Sequence, residues 1–119
     1  MKTSSAKAKG RNLQKLVRDA ILSYFTGLEK DDVRSTSMGS SGVDIQLSPA
    51  AATAFPYAVE CKNHAKFAIY GMYDQCVANS STRTPLLVIK QNHSDPLAVV
   101  SLKHFMELTQ IAYQNGFQK

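Results

Sequence analysis

The feature that most constrains the fold is a run rich in apolar residues, PLLVIKQ, bounded by Pro85 and Asn92. A run of this kind is typical of a strand that is buried on both faces of a sheet. Helices to cover such a sheet are also present. The clearest helical pattern is GRNLQKLVRDAILSYFTG. Its apolar residues recur at helical spacing, and Gly27 ends the pattern. We therefore expect an α/β fold in which a central mixed β-sheet is flanked by α-helices.

Shorter patterns predict the other elements. VDIQL alternates between apolar and polar residues, and so does YAVECK, which places Ala58, Glu60 and Lys62 on one face of a strand. Ser48-Pro49 reads as an N-cap and first helical position. A helix is expected over 67–79, then a strand at PLAVVS and a last helix capped by Ser101. The predicted order is helix, two or three strands, helix, two strands, helix.

Length and composition favour one ordinary domain. The chain has 119 residues and is 44% hydrophobic, which predicts a single domain. We place this domain at 10–119, after a basic and polar start at 1–9 that we expect to be a flexible arm. No apolar stretch has the ~20 residues of a membrane span, and the polar start does not resemble a secretory signal. Cys61 and Cys76 lack metal-binding or redox spacing. These observations predict a cytoplasmic protein with reduced thiols and no membrane partner.

The positive charge is concentrated at the start of the chain. The net charge is +5, and residues 1–18 contain six basic residues and no acid. Such a segment fits a surface that contacts phosphates, and DNA would then be the partner. A solvated tail explains the charge equally well, so charge alone leaves both interpretations open.

Two carboxylates and a lysine form the chemically most informative group. If the strands containing Asp44 and Glu60 are neighbours, both acids lie side by side at a sheet edge, with Lys62 one step further along. Converging carboxylates repel each other unless a cation lies between them, and Mg²⁺ prefers such oxygen ligands. The alternative is that both acids are solvent-facing strand residues and that Lys62 is their exposed ion-pair partner.

The spacing of these residues resembles the bipartite D...ExK signature of the PD-(D/E)XK nuclease superfamily. The signature's first proline is absent, since Val43 precedes Asp44. The segments KGRNLQKLVRD, VRSTSMGSSGVDI and VECKN are similar to the opening helix, serine-containing loop and catalytic strands of archaeal-type Holliday junction resolvases and related small phage nucleases. The resemblance covers roughly residues 9–91 and implies a restriction-endonuclease-like core.

The resemblance also implies roles for individual residues. Asp44 and Glu60 would ligate Mg²⁺, or Mn²⁺ in its place, with the backbone carbonyl of Cys61 as a further ligand and Lys62 as the catalytic lysine. Gln14 takes the position of a glutamate on the first helix of the resolvases; a glutamine can orient water but adds no negative charge. The expected DNA-binding residues, from the basic segment, the serine loop and the end of the apolar run, are Lys9, Arg11, Lys15, Arg18, Arg34, Ser35, Ser37 and Lys90.

The expected function is therefore metal-dependent hydrolysis of phosphodiester bonds in DNA, with a four-way junction as the favoured substrate. Symmetric cutting of a junction needs two sites, which implies a homodimer. If the protein is phage-encoded, as the resemblance suggests, it would act in the host cytoplasm. A nicking or repair nuclease without junction preference and a non-catalytic DNA-binding module of the same fold are the alternatives. The three histidines lack metal-ligand spacing, which argues against a zinc site.

Overall fold

The computed structural model describes residues 3–36 and 42–117. The described helices and strands, in chain order, are α1 (Thr3–Tyr24), a short 3₁₀ helix (Lys30–Asp32), β1 (Val33–Ser35), β2 (Ile45–Leu47), α2 (Pro49–Ala54), β3 (Tyr57–Asn63), α3 (Ile69–Ala78), β4 (Thr84–Lys90), β5 (Leu97–Val99) and α4 (Leu102–Gln114). This order confirms the predicted alternation of helices and strands.

The strands form two small sheets. β1 and β2 pair antiparallel, with Ser35 opposite Ile45. The other sheet has the order β3-β4-β5; β3 runs parallel to β4, and β5 runs antiparallel to β4. The α/β class and a mixed sheet flanked by helices are thus confirmed. The sheet is divided more than the sequence suggested, because β2 is short and meets β3 only around Asp44.

The core lies on both faces of the larger sheet. On one face, Leu13 and Val17 of α1 pack with Val59 of β3 and Val88 of β4. On the other, Cys76 of α3 packs with strand residues of β4. Since alternate residues of β4 contribute to different clusters, the prediction that PLLVIKQ is buried on both faces is confirmed.

Helix α1 begins earlier than the sequence pattern indicated. Residues 3–9, which we expected to form an arm before the helix, continue it towards the N-terminus. Alanine and lysine favour helices and the segment lacks proline, so a stable helix behind it can extend through it without a packed face. The basic residues of this segment therefore project from a helix rather than from an extended chain.

The predicted caps of two helices are confirmed. Ser48 accepts a hydrogen bond from the backbone N–H of Ala51 and starts α2, and Ser101 accepts one from the N–H of His104 and starts α4. On α3, Tyr73 packs against the core, whereas Tyr70 is 87% exposed. None of the helices in the described part of the chain combines the length and apolarity needed to cross a membrane.

Candidate active site

The backbone of Asp44 is fixed from two sides. Its N–H donates to the carbonyl of Val59 on β3 at 2.9 Å, and its carbonyl accepts from the N–H of Thr36 at 2.8 Å. The Thr36 hydroxyl also donates to the carbonyl of Val43 at 2.7 Å. Asp44 is therefore held between β3 and the residue that follows β1.

The side chain of Asp44 continues this attachment to β3. Its Oδ2 accepts the backbone N–H of Cys61 at 2.7 Å. In a β-strand the N–H and C=O of one residue point to the same side, so the carbonyl of Cys61 also points towards the flank on which Asp44 lies. The carboxylate and the carbonyl that the resemblance implies as ligands thus share one side of β3.

Glu60 lies on the face of β3 that α3 covers. Its side chain is buried, with a residue exposure of 6%, and its Oε2 accepts a long hydrogen bond of 3.4 Å from the amide nitrogen of Asn79. Asn79 is the C-cap of α3. The alternative in which Glu60 faces solvent is therefore wrong, because α3 packs over this part of the strand.

The two carboxyl groups interact electrostatically. Burial raises the pKa of Asp44 above its usual value, against the opposing effects of the Cys61 N–H and of Lys62. The pKa of Glu60 is also raised, first by burial and then by repulsion from Asp44, while Asn79 and Lys62 oppose the rise. Burial and mutual repulsion disfavour the ionised forms of these acids, so a bound cation would stabilise their carboxylates.

Lys62 is the cation that acts on both acids. It is half-buried, and by strand alternation it shares a face of β3 with Glu60. Within the described residues, the ion pairs closer than 4.0 Å are Arg18–Asp19 and Arg34–Asp31, so Lys62 forms no direct pair with a described acid. The alternative in which Lys62 is the exposed ion-pair partner of these acids is therefore wrong. Its ammonium group lowers the pKa values of Asp44 and Glu60 from a longer distance.

Gln14 lies on the core side of α1. The residue is 5% exposed, next to Leu13 and one turn before Val17, both of which pack in the core. Since α1 packs across β3, Gln14 belongs to the same face of the sheet as Cys61 rather than to the face of Glu60. Its predicted auxiliary role in catalysis remains a prediction.

The expected DNA-binding residues separate into groups. Lys9 and Lys90 line one cavity of about 210 Å³ together with Asn63, which follows Lys62 on β3. Arg11 and Lys15 are exposed on α1. Ser37 lies outside the described residues.

The two arginines of the expected set occupy a different place. Arg18 and Arg34 line another cavity of about 420 Å³, with Ser35, and each pairs with an aspartate at 2.9 Å. Because those aspartates offset part of their charge, this group is less suited to phosphate than the cavity containing Lys9 and Lys90.

Two residues of the site were not identified from the sequence. Thr36 stands in a run of serines and threonines that reads as a loop, and Asn79 reads as an ordinary helix end. Neither pattern carries a signal of its contact with an acid elsewhere in the chain. Thr36 meets the backbone of Asp44 because β1 pairs with the strand that follows Asp44, and Asn79 meets Glu60 because α3 packs over β3.

The donor set fits a hard divalent cation of the Mg²⁺ type. Asp44 and Glu60 supply carboxylate oxygens, and Mg²⁺ is commonly bound through one or two carboxylates with water completing its shell. Across residues 3–36 and 42–117, no three or more His, Cys, Asp or Glu side chains cluster as a metal site. The fit to Mg²⁺ therefore depends on the carboxylates of Asp44 and Glu60 and on the carbonyl of Cys61.

Comparisons of the chain with protein-family models, with curated proteins and with solved structures find no match.

Proposed function

We propose that the protein is a metal-dependent DNA endonuclease of the restriction-endonuclease-like fold, selective for four-way junctions. One observation carries the proposal: Asp44 and Glu60, from separate parts of the chain, interact as a partly desolvated acid pair with Lys62 acting on both. Buried acids with raised pKa values and a specific charge partner are typical of functional sites.

Each residue of the site has a part in this chemistry. Asp44 and Glu60 would hold Mg²⁺ or Mn²⁺, which when bound lowers the pKa of water and stabilises charge on a phosphate. Asp44 is pre-positioned by the Cys61 N–H at 2.7 Å, so little reorganisation would accompany binding. Lys62 would orient the attacking water or offset the charge that develops on the phosphate.

The DNA backbone would follow the surface from this site to the neighbouring basic cavity. By strand alternation Asn63 shares the face of Cys61 rather than that of Glu60, so the DNA would pass round the end of β3 to reach the cavity that Asn63 lines. Lys9 and Lys90 add positive charge there, and the described residues that line the cavity include no carboxylate. Exposed Arg11 and Lys15 would extend the contact along the flanking duplex.

A cleavage assay tests the proposal. Labelled four-way junction and linear duplex of matched sequence are incubated with the protein in Mg²⁺ or Mn²⁺, next to Asp44→Asn, Lys62→Ala and the control Lys66→Ala, which alters an exposed lysine after the same strand. We expect junction cleavage by wild type and control and at least a roughly 100-fold loss in both site variants.

Each alternative gives a different result in this assay. Binding without cleavage in either metal would identify a non-catalytic DNA-binding module. Equal cleavage of junction and duplex would identify a nuclease without junction preference.

A further inference from the structure

A further cavity lies beside the candidate active site, at the carboxyl end of β4. Its volume is about 270 Å³, and it is lined by Phe67, Ile89, Lys90, Gln91, Ser94, Asp95 and Leu97. Ile89 lies opposite Lys62 in the register of the parallel strands. Neighbouring strands are about 4.8 Å apart, so one wall of the cavity begins a single strand spacing from that lysine.

The lining of this cavity combines apolar surface with polar edges. Phe67, Ile89 and Leu97 supply apolar side chains, whereas Gln91 and Ser94 supply an amide and a hydroxyl. One lysine and one aspartate are also present, so the formal charges cancel. A neutral planar group with polar edges suits such a lining better than a phosphate does, and a nucleobase is a group of this kind. Since roughly 150 Å³ holds a benzene molecule, the cavity has room for a base.

Phe67 provides a surface on which a base can stack. Its ring is half-buried, packs against the core and stacks with the ring of His64, with centroids 5.8 Å apart and planes 15° from parallel. The His64 N–H donates to the carbonyl of Lys90, at the end of β4, at 3.1 Å. The side-chain amide of Gln91 donates to the carbonyl of Ala65 at 2.9 Å. Because these bonds fix the loop that carries the ring, Phe67 is a pre-formed stacking platform.

Asp95 gives the cavity a hydrogen-bond acceptor. It is exposed and forms no ion pair closer than 4.0 Å with any residue that the structure describes. An ionised carboxylate only accepts hydrogen bonds, so it selects a partner that donates. Cytosine, adenine and guanine carry an exocyclic amino group, whereas thymine carries none. The cavity therefore favours bases other than thymine.

The cavity adjoins the basic cavity described above. Lys90 lines both of them, and Lys9 adds a second positive charge to the basic one. A nucleotide whose phosphate lies at the basic cavity would thus have a neutral cavity beside it for its base. Taking a base out of a duplex costs least where that base is already unpaired. DNA with an unpaired nucleotide at this place therefore gains contacts that a fully paired duplex lacks.

We propose that this cavity binds one unpaired nucleobase of the DNA, which stacks on Phe67 and donates its amino group to Asp95. The inference rests on the proposed function, because a base reaches the cavity only when DNA lies beside it. It names the feature that is recognised, an unpaired nucleotide near the cleaved bond. In a four-way junction, a base pair that opens at the branch point would supply it.

Binding of two DNA duplexes tests the cavity without using cleavage. One duplex is fully paired and the other contains one unpaired adenine, and fluorescence anisotropy measures both affinities with Ca²⁺ in place of Mg²⁺. The wild type should bind the bulged duplex at least roughly 10-fold more tightly. Phe67→Leu keeps an apolar side chain but loses the aromatic face, so it should abolish this preference and leave the affinity for the paired duplex unchanged. Thermal unfolding confirms that this variant is folded.

The matched control is Tyr70→Leu, which removes an aromatic ring that is 87% exposed on α3 and does not line the cavity. It should retain the preference for the bulged duplex. A preference that survives Phe67→Leu overturns the proposal. A wild type that cleaves DNA but binds both duplexes equally removes the base cavity and leaves the nuclease, whereas a wild type that binds neither duplex removes both.

Asp95→Asn tests the contact with the base at an exposed position, where substitution is not expected to disturb folding. The wild type should bind an unpaired adenine or cytosine at least roughly 5-fold more tightly than an unpaired thymine. The variant should lose this difference, because an amide both donates and accepts hydrogen bonds. Asp74→Asn, which alters an exposed aspartate on α3, should keep it. Equal binding of the three bases by the wild type would overturn the role of Asp95.

Discussion

The acid pair beside β3 and an exposed apolar stripe on α4 reverse the usual distribution of residues in opposite ways; the stripe consists of Leu102, Phe105, Met106 and Tyr113. At β3 a glutamate is 6% exposed, whereas on α4 a leucine and a tyrosine are more than 70% exposed. Buried polar groups and exposed apolar patches are the informative departures from ordinary burial. A cation would lower the electrostatic cost of the first arrangement, and contact with an apolar surface would lower the hydration cost of the second.

The two regions also differ in how rigidly they are built. Asp44 is held by backbone bonds to Val59 and Thr36 and by its own side chain to Cys61. Helix α4 is anchored chiefly near its start, where His104 meets Tyr57. A pre-organised site suits chemistry, and a lightly held helix suits association with another chain. The experiments below test this contrast, in order of decreasing expected effect.

Asp44→Asn should give the largest change. The amide oxygen can still accept from the Cys61 N–H at this position, but the negative charge for the cation is lost. We expect DNA cleavage to fall roughly a thousandfold, with the fold retained. Single-turnover cleavage and thermal unfolding measure these two outcomes. Asp74→Asn on the exposed side of α3 is the matched control, and activity in Asp44→Asn near the wild-type rate would remove Asp44 from the mechanism.

Leucine substitutions compare the core with α4 directly. Leu87 is 0% exposed and Leu102 is 75% exposed. Leu87→Ala should lower the free energy of unfolding by about 3 kcal/mol, because it leaves a cavity. Leu102→Ala should change it by less than about 0.5 kcal/mol. Equal losses in urea denaturation would mean that α4 is packed in the monomer.

Glu60→Gln should stabilise the metal-free protein at neutral pH. The pKa of Glu60 is raised by burial and by Asp44, so folding disfavours its ionised form. The stability associated with this group is present below its unfolded pKa of about 4.3 and is lost as the pH rises through the folded pKa. The variant's melting temperature in EDTA should therefore exceed that of wild type at pH 7 and approach it near pH 4.

Mg²⁺ should reverse the order of these melting temperatures at neutral pH. Bound metal stabilises the wild type, whereas Glu60→Gln has lost a ligand. An equal rise of both proteins with Mg²⁺ would place the cation elsewhere.

Asn79→Ala should give the smallest effect. The 3.4 Å hydrogen bond from Asn79 lowers the pKa of Glu60, so its removal raises that pKa further. The acidic limb of the pH-rate profile should move to higher pH, with a less than roughly tenfold change in the rate at its plateau. Asn115→Ala, which alters the cap of α4, should leave the profile in place; an unchanged profile in both variants would indicate that the contact with Glu60 does not influence catalysis.

The sequence predicted much of this architecture because its signals are local. Apolar periodicity and the serine caps of α2 and α4 depend on residues within a few positions, and those predictions are confirmed. Strand alternation also placed Glu60 and Lys62 on one face. The start of α1 was wrong by several residues, because helix propagation into a polar segment leaves little apolar pattern.

The amino-acid sequence by itself determined the element order, the alternation of β3 and the placement of Glu60 and Lys62 on one face of that strand. The tertiary structure decided which flank of β3 Asp44 occupies, that α3 buries Glu60 beside Asn79, and that α4 keeps an uncovered apolar face. The reason is physical. Propensity and periodicity are set by neighbours along the chain, whereas desolvation, charge coupling and uncovered surface depend on which distant segments pack together.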